Sequence, residues 1–396
     1  LAFVKIKRRP EDFEVEELTR FAPTGGPFAL YAMTKRSLGT PEAIEAVARR
    51  WNLPRESLSF GGLKDRHALT TQRISIRGGP RRGLKQTNLE LKYLGQVPRP
   101  FGPKDIEGNR FRMVLRDFSR EGERRAREAL GELARDPLPN YFDDQRFGSL
   151  GPSREFVGRA WCEQHYERAV WLALAEENEH DRPDDRAEKK TLRDRWGDWA
   201  ACKAGLSRSH RRSIVTFLAD RPGDFKGALA RINADLRGLY LSSFQSFLWN
   251  RLLAALIRDV CPPGSTFAVD LKSGTVPFFR ALGDSARAAL RAAVLPLPSA
   301  RARIDDDAMR DRIEASLKEI GLNLKSLRIR HPRENFFSRG ERAATFRPDG
   351  LASQWGPDDL YPGRSKLDLR FDLPRGSYAT ILVKRLSEDE TDLYHQ

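Results

Sequence analysis

Asp65 is the carboxylate whose setting in the sequence is best suited to chemistry. It lies in Gly61-Gly62-Leu63-Lys64-Asp65-Arg66-His67-Ala68-Leu69-Thr70-Thr71-Gln72, after apolar Leu58 and Phe60 and before the alternating run Gln72-Arg73-Ile74-Ser75-Ile76-Arg77. The pattern is strand, glycine pair, charged turn, strand. The glycines let backbone or substrate come close, and a sheet on both sides would hold the carboxylate still, as catalysis requires. A free aspartate, with a pKa of about 3.9, is ionised at neutral pH and needs no activating base. Lys-Asp-Arg alone is the composition of an ordinary solvated turn; the wider window is what makes Asp65 a catalytic candidate.

Other chemistries fit less well. Cys162, Cys202 and Cys261 lie far apart with no C-x-x-C spacing, which suits a reducing compartment and argues against zinc. The six histidines are scattered, none at helical metal-ligand spacing, so no metal is expected. No phosphate loop or dinucleotide fingerprint occurs. Asp143-Asp144 and Asp305-Asp306-Asp307 read as turn and helix-start acids rather than the centre of a metal-dependent nuclease. His67, beside Arg66, reads as a structural or phosphate-contacting residue rather than a general base.

The partner is suggested by charge. Of the net +15, residues 1–137 carry +10, residues 138–338 carry +6 and residues 339–396 carry −1. The excess is densest around Asp65, and a polyanion such as RNA is its natural partner, although an arginine-rich proteome would raise the charge without any function. With 39% apolar and 32% charged residues the chain reads as globular and soluble. No stretch approaches the roughly 18 apolar residues of a membrane span. Leu1 to Lys7 alternates like a strand and lacks the apolar core of a signal peptide, and without an initiator Met the chain reads as trimmed.

The elements that must position Asp65 follow from periodicity. Strands are expected over Phe3–Lys7, Phe13–Leu18, Phe28–Lys35, Leu89–Leu94 and Gly108–Arg116. Thr40-Pro41-Glu42 opens a helix with Ala43, Ile44, Val47, Ala48 and Trp51 on its apolar face. Ser119 caps another helix. After Asp136-Pro137-Leu138-Pro139 the texture turns helical: Thr191–Trp199 is highly charged, Asp224–Leu236 and Ser242–Ile257 are amphipathic, and Asp305–Ile320 is expected as a further helix. Phe244, Phe247, Leu248, Leu252 and Leu256 are expected in the core. Glu179–Lys190 reads as a solvated loop. Strand texture returns at Leu367–Leu373, and Ser377 starts a helix. The fold class is therefore α+β: a mixed, largely antiparallel sheet with helices over residues 1–137 and 339–396, interrupted by a mainly helical insertion over residues 138–338.

The Asp65 window resembles the signature G-x-K-D-x-x-A-x-T-x-Q of the TruD family of tRNA pseudouridine synthases, through Gly62, Lys64, Asp65, Ala68, Thr70 and Gln72. Four further blocks resemble that family in the same order. They are Pro10-Glu11-Asp12-Phe13 with Val15-Glu16-Glu17; Gly108-Asn109-Arg110-Phe111; Pro139-Asn140-Tyr141-Phe142 with Gln145-Arg146-Phe147-Gly148, where Asp143 replaces a glycine; and Leu373-Pro374-Arg375-Gly376-Ser377-Tyr378-Ala379-Thr380.

The resemblance implies the pseudouridine-synthase catalytic fold around an inserted TRUD domain, in a cytoplasmic, monomeric enzyme. Its reaction would be cofactor-free isomerisation of uridine to pseudouridine in tRNA, at uridine 13. The base would be flipped out of its stack and held by aromatic stacking, for which Phe13, Phe111 and Tyr378 are the candidates. Asn109 would read the uracil edge. Asp65 would be catalytic, either attacking C1′ as a nucleophile or taking the C2′ proton. Lys7 would be its cationic partner. Lys64 is adjacent, and if it points away from the ribose it would meet phosphate. The competing expectation is a non-catalytic RNA-binding or RNA-folding protein on the same scaffold.

Overall fold

The computed structural model describes residues 4–179 and 181–387. The chain divides into two compact units, Leu1–Leu138 with Phe346–Gln396, and Pro139–Thr345.

The first unit is built on a nine-stranded sheet. Its strands are β1 (Phe13–Leu18), β2 (Phe28–Arg36), β3 (Leu58–Phe60), β4 (Leu69–Arg77), β5 (Leu84–Gln86), β6 (Leu89–Val97), β7 (Gly108–Phe118), β8 (Asp349–Pro357) and β9 (Ser365–Pro374). The order is β8-β9-β7-β1-β4-β2-β6-β5, with β3 also paired to β4. The β1–β4 pair is parallel and the others are antiparallel. Among the described residues, three α-helices accompany it: α1 (Thr40–Trp51), α2 (Arg120–Leu133) and α3 (Ala379–Ser387).

Alternation explains the strands. In β1, Phe13, Val15 and Glu17 face inward; in β2, Tyr31, Met33 and Lys35 do. α1 begins with Pro41 and Glu42 in its first turn and ends at Asn52, whose φ of +51° is a left-handed stop. Its Ala43, Ile44, Val47 and Ala48 pack with Tyr31, Met33, Ile74 and Ile76. That core fixes the sheet on which the Asp65 loop is mounted.

The second unit is centred on the long helix Ala234–Val260, which buries Phe244, Leu248, Trp249 and Leu252. Phe247 and Leu256 on the same helix are half-buried.

Several segments differ from their sequence reading. Glu179–Lys190 is not a loop: a helix runs from Pro183 to Asp194, with Pro183 at its first position and Asp184 and Asp185 in its first turn. Lys189, buried there, bonds Asp181 at 2.8 Å, so its charge is satisfied inside. His180, in the same run, lies outside the described residues, as does Phe3 of the expected first strand. From Val4 onward that segment makes an isolated antiparallel bridge, Lys5 to Arg116. The helical block also holds a hairpin, Thr266–Leu271 with Gly274–Phe279. β8 lies at the sheet edge with mostly exposed side chains, so no apolar alternation marks it. Glu341–Ala343 pairs with Val294–Pro296 inside the second unit, and the chain re-enters the first at Phe346.

Candidate active site

The parallel β1–β4 pair assembles the site. Glu14 lies opposite Leu69, so the segment leading into β1 and the loop leading into β4 emerge at one end of the sheet. Lys7 is on the first and Asp65 on the second. They meet there, with the Lys7 ammonium donating to Asp65 Oδ2. Asp65 Oδ1 accepts the backbone N–H of His67 at 3.1 Å; the His67 side chain is exposed. Burial pushes the Asp65 carboxyl up, but the Lys7 charge, its hydrogen bond and the His67 N–H outweigh burial and hold it below the usual carboxylate range.

Lys7 has a φ of +55°, a left-handed conformation uncommon outside glycine. Such strain costs about 1–3 kcal/mol and persists where the surroundings fix it. Here the surroundings include a buried clamp between Lys7 and β1. Arg116 donates two bonds of 2.9 Å to Asp12 and a third of 2.9 Å to Asp358. Asp12 also accepts the Arg9 N–H at 2.9 Å. Pro10-Glu11-Asp12 is therefore a locked turn that aims Lys7 at Asp65.

Aromatic rings flank the pair. The Lys7 ammonium lies 4.4 Å from the centre of the Phe13 ring. Phe13 meets Phe111 edge-on at 6.1 Å. Phe111 stacks on Phe371 at 5.4 Å, with ring planes 19° apart. In register, Phe111 sits between Val15 and Phe371. All three rings are buried.

Lys64 turns inward rather than toward solvent. Its ammonium bonds Asn109 Oδ1 at 2.9 Å and lies 3.0 Å from Glu17 Oε1. Glu17 is buried, and its other oxygen accepts the Arg73 N–H at 2.8 Å. An ammonium only donates, so this bond fixes the Asn109 amide with Oδ1 toward Lys64. The amide NH2 is left without a partner among the described residues.

The loop itself is held by a polar scaffold. The Lys64 N–H donates to Thr40 Oγ1 at 3.0 Å, the Thr40 hydroxyl to Gln72 Oε1 at 2.9 Å, and the Gln72 amide to the Gly62 carbonyl at 3.1 Å. Lys35, 1% exposed, donates to the carbonyls of Leu38 at 2.6 Å, Asp65 at 2.8 Å and Lys64 at 3.4 Å. Burial pulls its ammonium down to about 8, against the opposing pull of Asp65.

The structure thus brings Lys7, Phe13, Lys64, Asp65, Asn109 and Phe111 into one connected set. Tyr378 lies just before α3, half-buried, beyond the end of β9 where Leu373 and Pro374 oppose Asn109 and Gly108. Sequence reasoning gives no site role to Glu17, Lys35 or Phe371, and it suggests the Thr40 hydroxyl as a helix cap; in the structure Gly39 is the cap and the Thr40 hydroxyl is turned to Gln72 and the Lys64 N–H instead. The usable signal for two of them was phase: Glu17 follows Phe13 and Val15, and Lys35 follows Tyr31 and Met33, on the buried side of their strands.

An ionised, oriented carboxylate beside a cation and a wall of rings suits attack on, or proton removal from, a ribose whose base lies against the rings. Comparison with known proteins narrows this chemistry. A family model described as tRNA pseudouridine synthase D (TruD) matches residues 2–386. The probable tRNA pseudouridine synthase D 2 of Methanocaldococcus jannaschii is 29% identical, over 97% of this chain and 92% of its own. The tRNA pseudouridine synthase D of Aquifex aeolicus is 29% identical, over 97% of this chain and 98% of its own. A crystal structure described as a TruD protein of Methanosarcina mazei superposes with a TM-score of 0.74 at 25% identity, over 98% of this chain and 94% of that one.

Proposed function

The chain belongs to the tRNA pseudouridine synthase D (TruD) family, and on that premise we propose that it isomerises uridine 13 of tRNA to pseudouridine with Asp65 as its catalytic residue. The observation that carries this reading is the pairing of Asp65 with Lys7 against the Phe13 ring. The reaction breaks the C1′–N1 bond and joins C1′ to C5. The C5 proton is released and N1 gains one, so nothing is oxidised or transferred to a second molecule.

Each residue then has a task. Lys7 and the His67 N–H keep Asp65 ionised and aimed, ready to attack C1′ or to take the C2′ proton. Phe13 and Phe111, with Phe371 packed behind Phe111, and half-buried Tyr378 are the rings proposed to meet an everted uracil, at roughly 1–3 kcal/mol per stacked base. The unpartnered Asn109 NH2 donates to a uracil carbonyl, its orientation set by Lys64. Lys64 is engaged by Asn109 and Glu17 and so is a positioning residue rather than a phosphate contact. The partner is tRNA, and the setting proposed is the cytoplasm. No described helix is long and apolar enough to cross a membrane.

The test is to incubate unmodified tRNA transcripts with the protein and map pseudouridine chemically. A single new pseudouridine at uridine 13 is expected; transcripts left entirely unmodified would overturn the reading.

A further inference from the structure

The second unit carries an open basic groove. Ala300, Arg301, Leu324, Lys325, Arg328, Ile329, Arg330 and Arg333 line a depression of about 780 Å³. A second of about 530 Å³ shares Lys325, Arg328 and Arg330 with it, and a third of about 220 Å³ shares Arg301 and Arg328 and is walled by Phe336.

Three features set this groove apart from an ordinary charged surface. First, its cations are unspent. Arg301, Lys325, Arg328, Arg330 and Arg333 are exposed and have no ion-pair partner among the described residues. Elsewhere arginines are tied to acids, as in Arg110–Asp372, Arg112–Asp368 and Arg168–Glu155. Second, the groove is short of acids. Residues 321–340 hold five Lys+Arg against one acid, Glu334, and Glu334 faces Arg237 at 3.2 Å. Glu163, in the wall of the second depression, is engaged by Arg159. Third, the cations are presented by an anchored backbone. Leu327, Ile329 and Pro332 are buried, so Arg328, Arg330 and Arg333 are turned outward between them.

The groove also contains an exposed ring. Phe336 is 56% exposed, and the Arg301 guanidinium lies 5.2 Å from its centre. Unpaired guanidinium forks suit phosphate oxygens. A free aromatic face beside them suits a base. An acidic protein surface would satisfy the charges but give the ring no stacking partner.

We infer that this groove is an RNA-docking surface of the second unit, gripping phosphates with Lys325, Arg328, Arg330 and Arg333 and one unpaired base with Phe336. The inference rests on the reading of the chain as a tRNA-modifying enzyme. It adds a second place where the RNA is held, independent of the residues around Asp65.

The experiment measures binding of an unmodified tRNA transcript to the full chain at several salt concentrations. The Arg328→Gln/Arg330→Gln/Arg333→Gln variant is expected to bind at least about tenfold more weakly near physiological salt, with the log–log salt slope smaller by about 2–3. Its turnover at saturating RNA is expected to equal wild type. Phe336→Ala is expected to weaken binding while leaving the salt slope unchanged. Arg330→Gln alone, smaller in effect, serves if the triple variant does not fold. Unchanged affinity and slope in the triple and single variants would overturn the inference. So would loss of binding to anionic lipid vesicles with RNA affinity intact. If wild type binds tRNA without forming pseudouridine, the functional reading fails, and the binding comparison still decides this one.

Discussion

Lys7 and Asp65, 58 residues apart in sequence, are joined by an ion pair at one end of the sheet. Burial alone would raise the Asp65 carboxyl; Lys7 is the largest opposing influence and brings it below the usual range. A lowered carboxylate pKa adds stability that is present above about pH 3.9 and is lost as pH falls through the folded-state value. The same sign holds for activity. The wild-type rate is expected to show little loss attributable to Asp65 between pH 7 and about pH 5. In Lys7→Met the burial effect is left less opposed. The acid limb of the pH–rate profile is expected to move to higher pH, with kcat at neutral pH down by about 10²-fold or more. A profile superimposable on wild type would show that Lys7 does not tune Asp65.

Asn109 is the next residue whose geometry makes a definite demand. Its Oδ1 is committed to Lys64, so its contribution to substrate is an NH2 donor. Asn109→Asp keeps an acceptor for Lys64 but removes that donor. The expected loss is about 1–3 kcal/mol of transition-state binding, seen as lower kcat/KM with little change in melting temperature. Steady-state kinetics beside a thermal melt separates this from a folding defect.

Much of this site was legible in the sequence because its residues sit in compact local patterns. The Asp65 window, Pro10-Glu11-Asp12-Phe13 and Gly108-Asn109-Arg110-Phe111 each announce themselves through turn residues and alternation. Lys7 and Asp65 meet only because β1 and β4 run parallel, a pairing that no local pattern fixes. Glu17 and Lys35 are hard to see in the sequence for a physical reason: a charged residue ordinarily faces outward. Their phase with the apolar face says the opposite, and the structure gives each an internal partner. The helix Pro183–Asp194 was hidden likewise, since a charge-rich run reads as a loop until Lys189 finds Asp181.

Lys35 offers a test by pH alone. Its folded-state pKa is near 8, against about 10.4 for an unfolded lysine. Below pH 8 both states are protonated and Lys35 gives no slope. Between there and about pH 10.4 the unfolded state holds more protons, so stability rises with pH. Urea denaturation from pH 7 to 10 should show this rise in wild type relative to Lys35→Met. Parallel curves for the two proteins would contradict the assignment.

Glu17 is expected to matter for the fold as well as the site. It is buried, accepts the Arg73 N–H and faces Lys64. Removing one partner of a buried pair costs about 3–5 kcal/mol. Glu17→Ala should lower the denaturation midpoint accordingly, and Glu17→Gln, which keeps the acceptor oxygen, should lose less.

The central claim is that the Asp65 carboxylate performs the isomerisation. The most direct measurement is chemical mapping of pseudouridine in a tRNA transcript incubated with Asp65→Asn, alongside its RNA affinity. The account predicts binding close to wild type and no pseudouridine at uridine 13. Pseudouridine formed by that variant at a rate near wild type would contradict it.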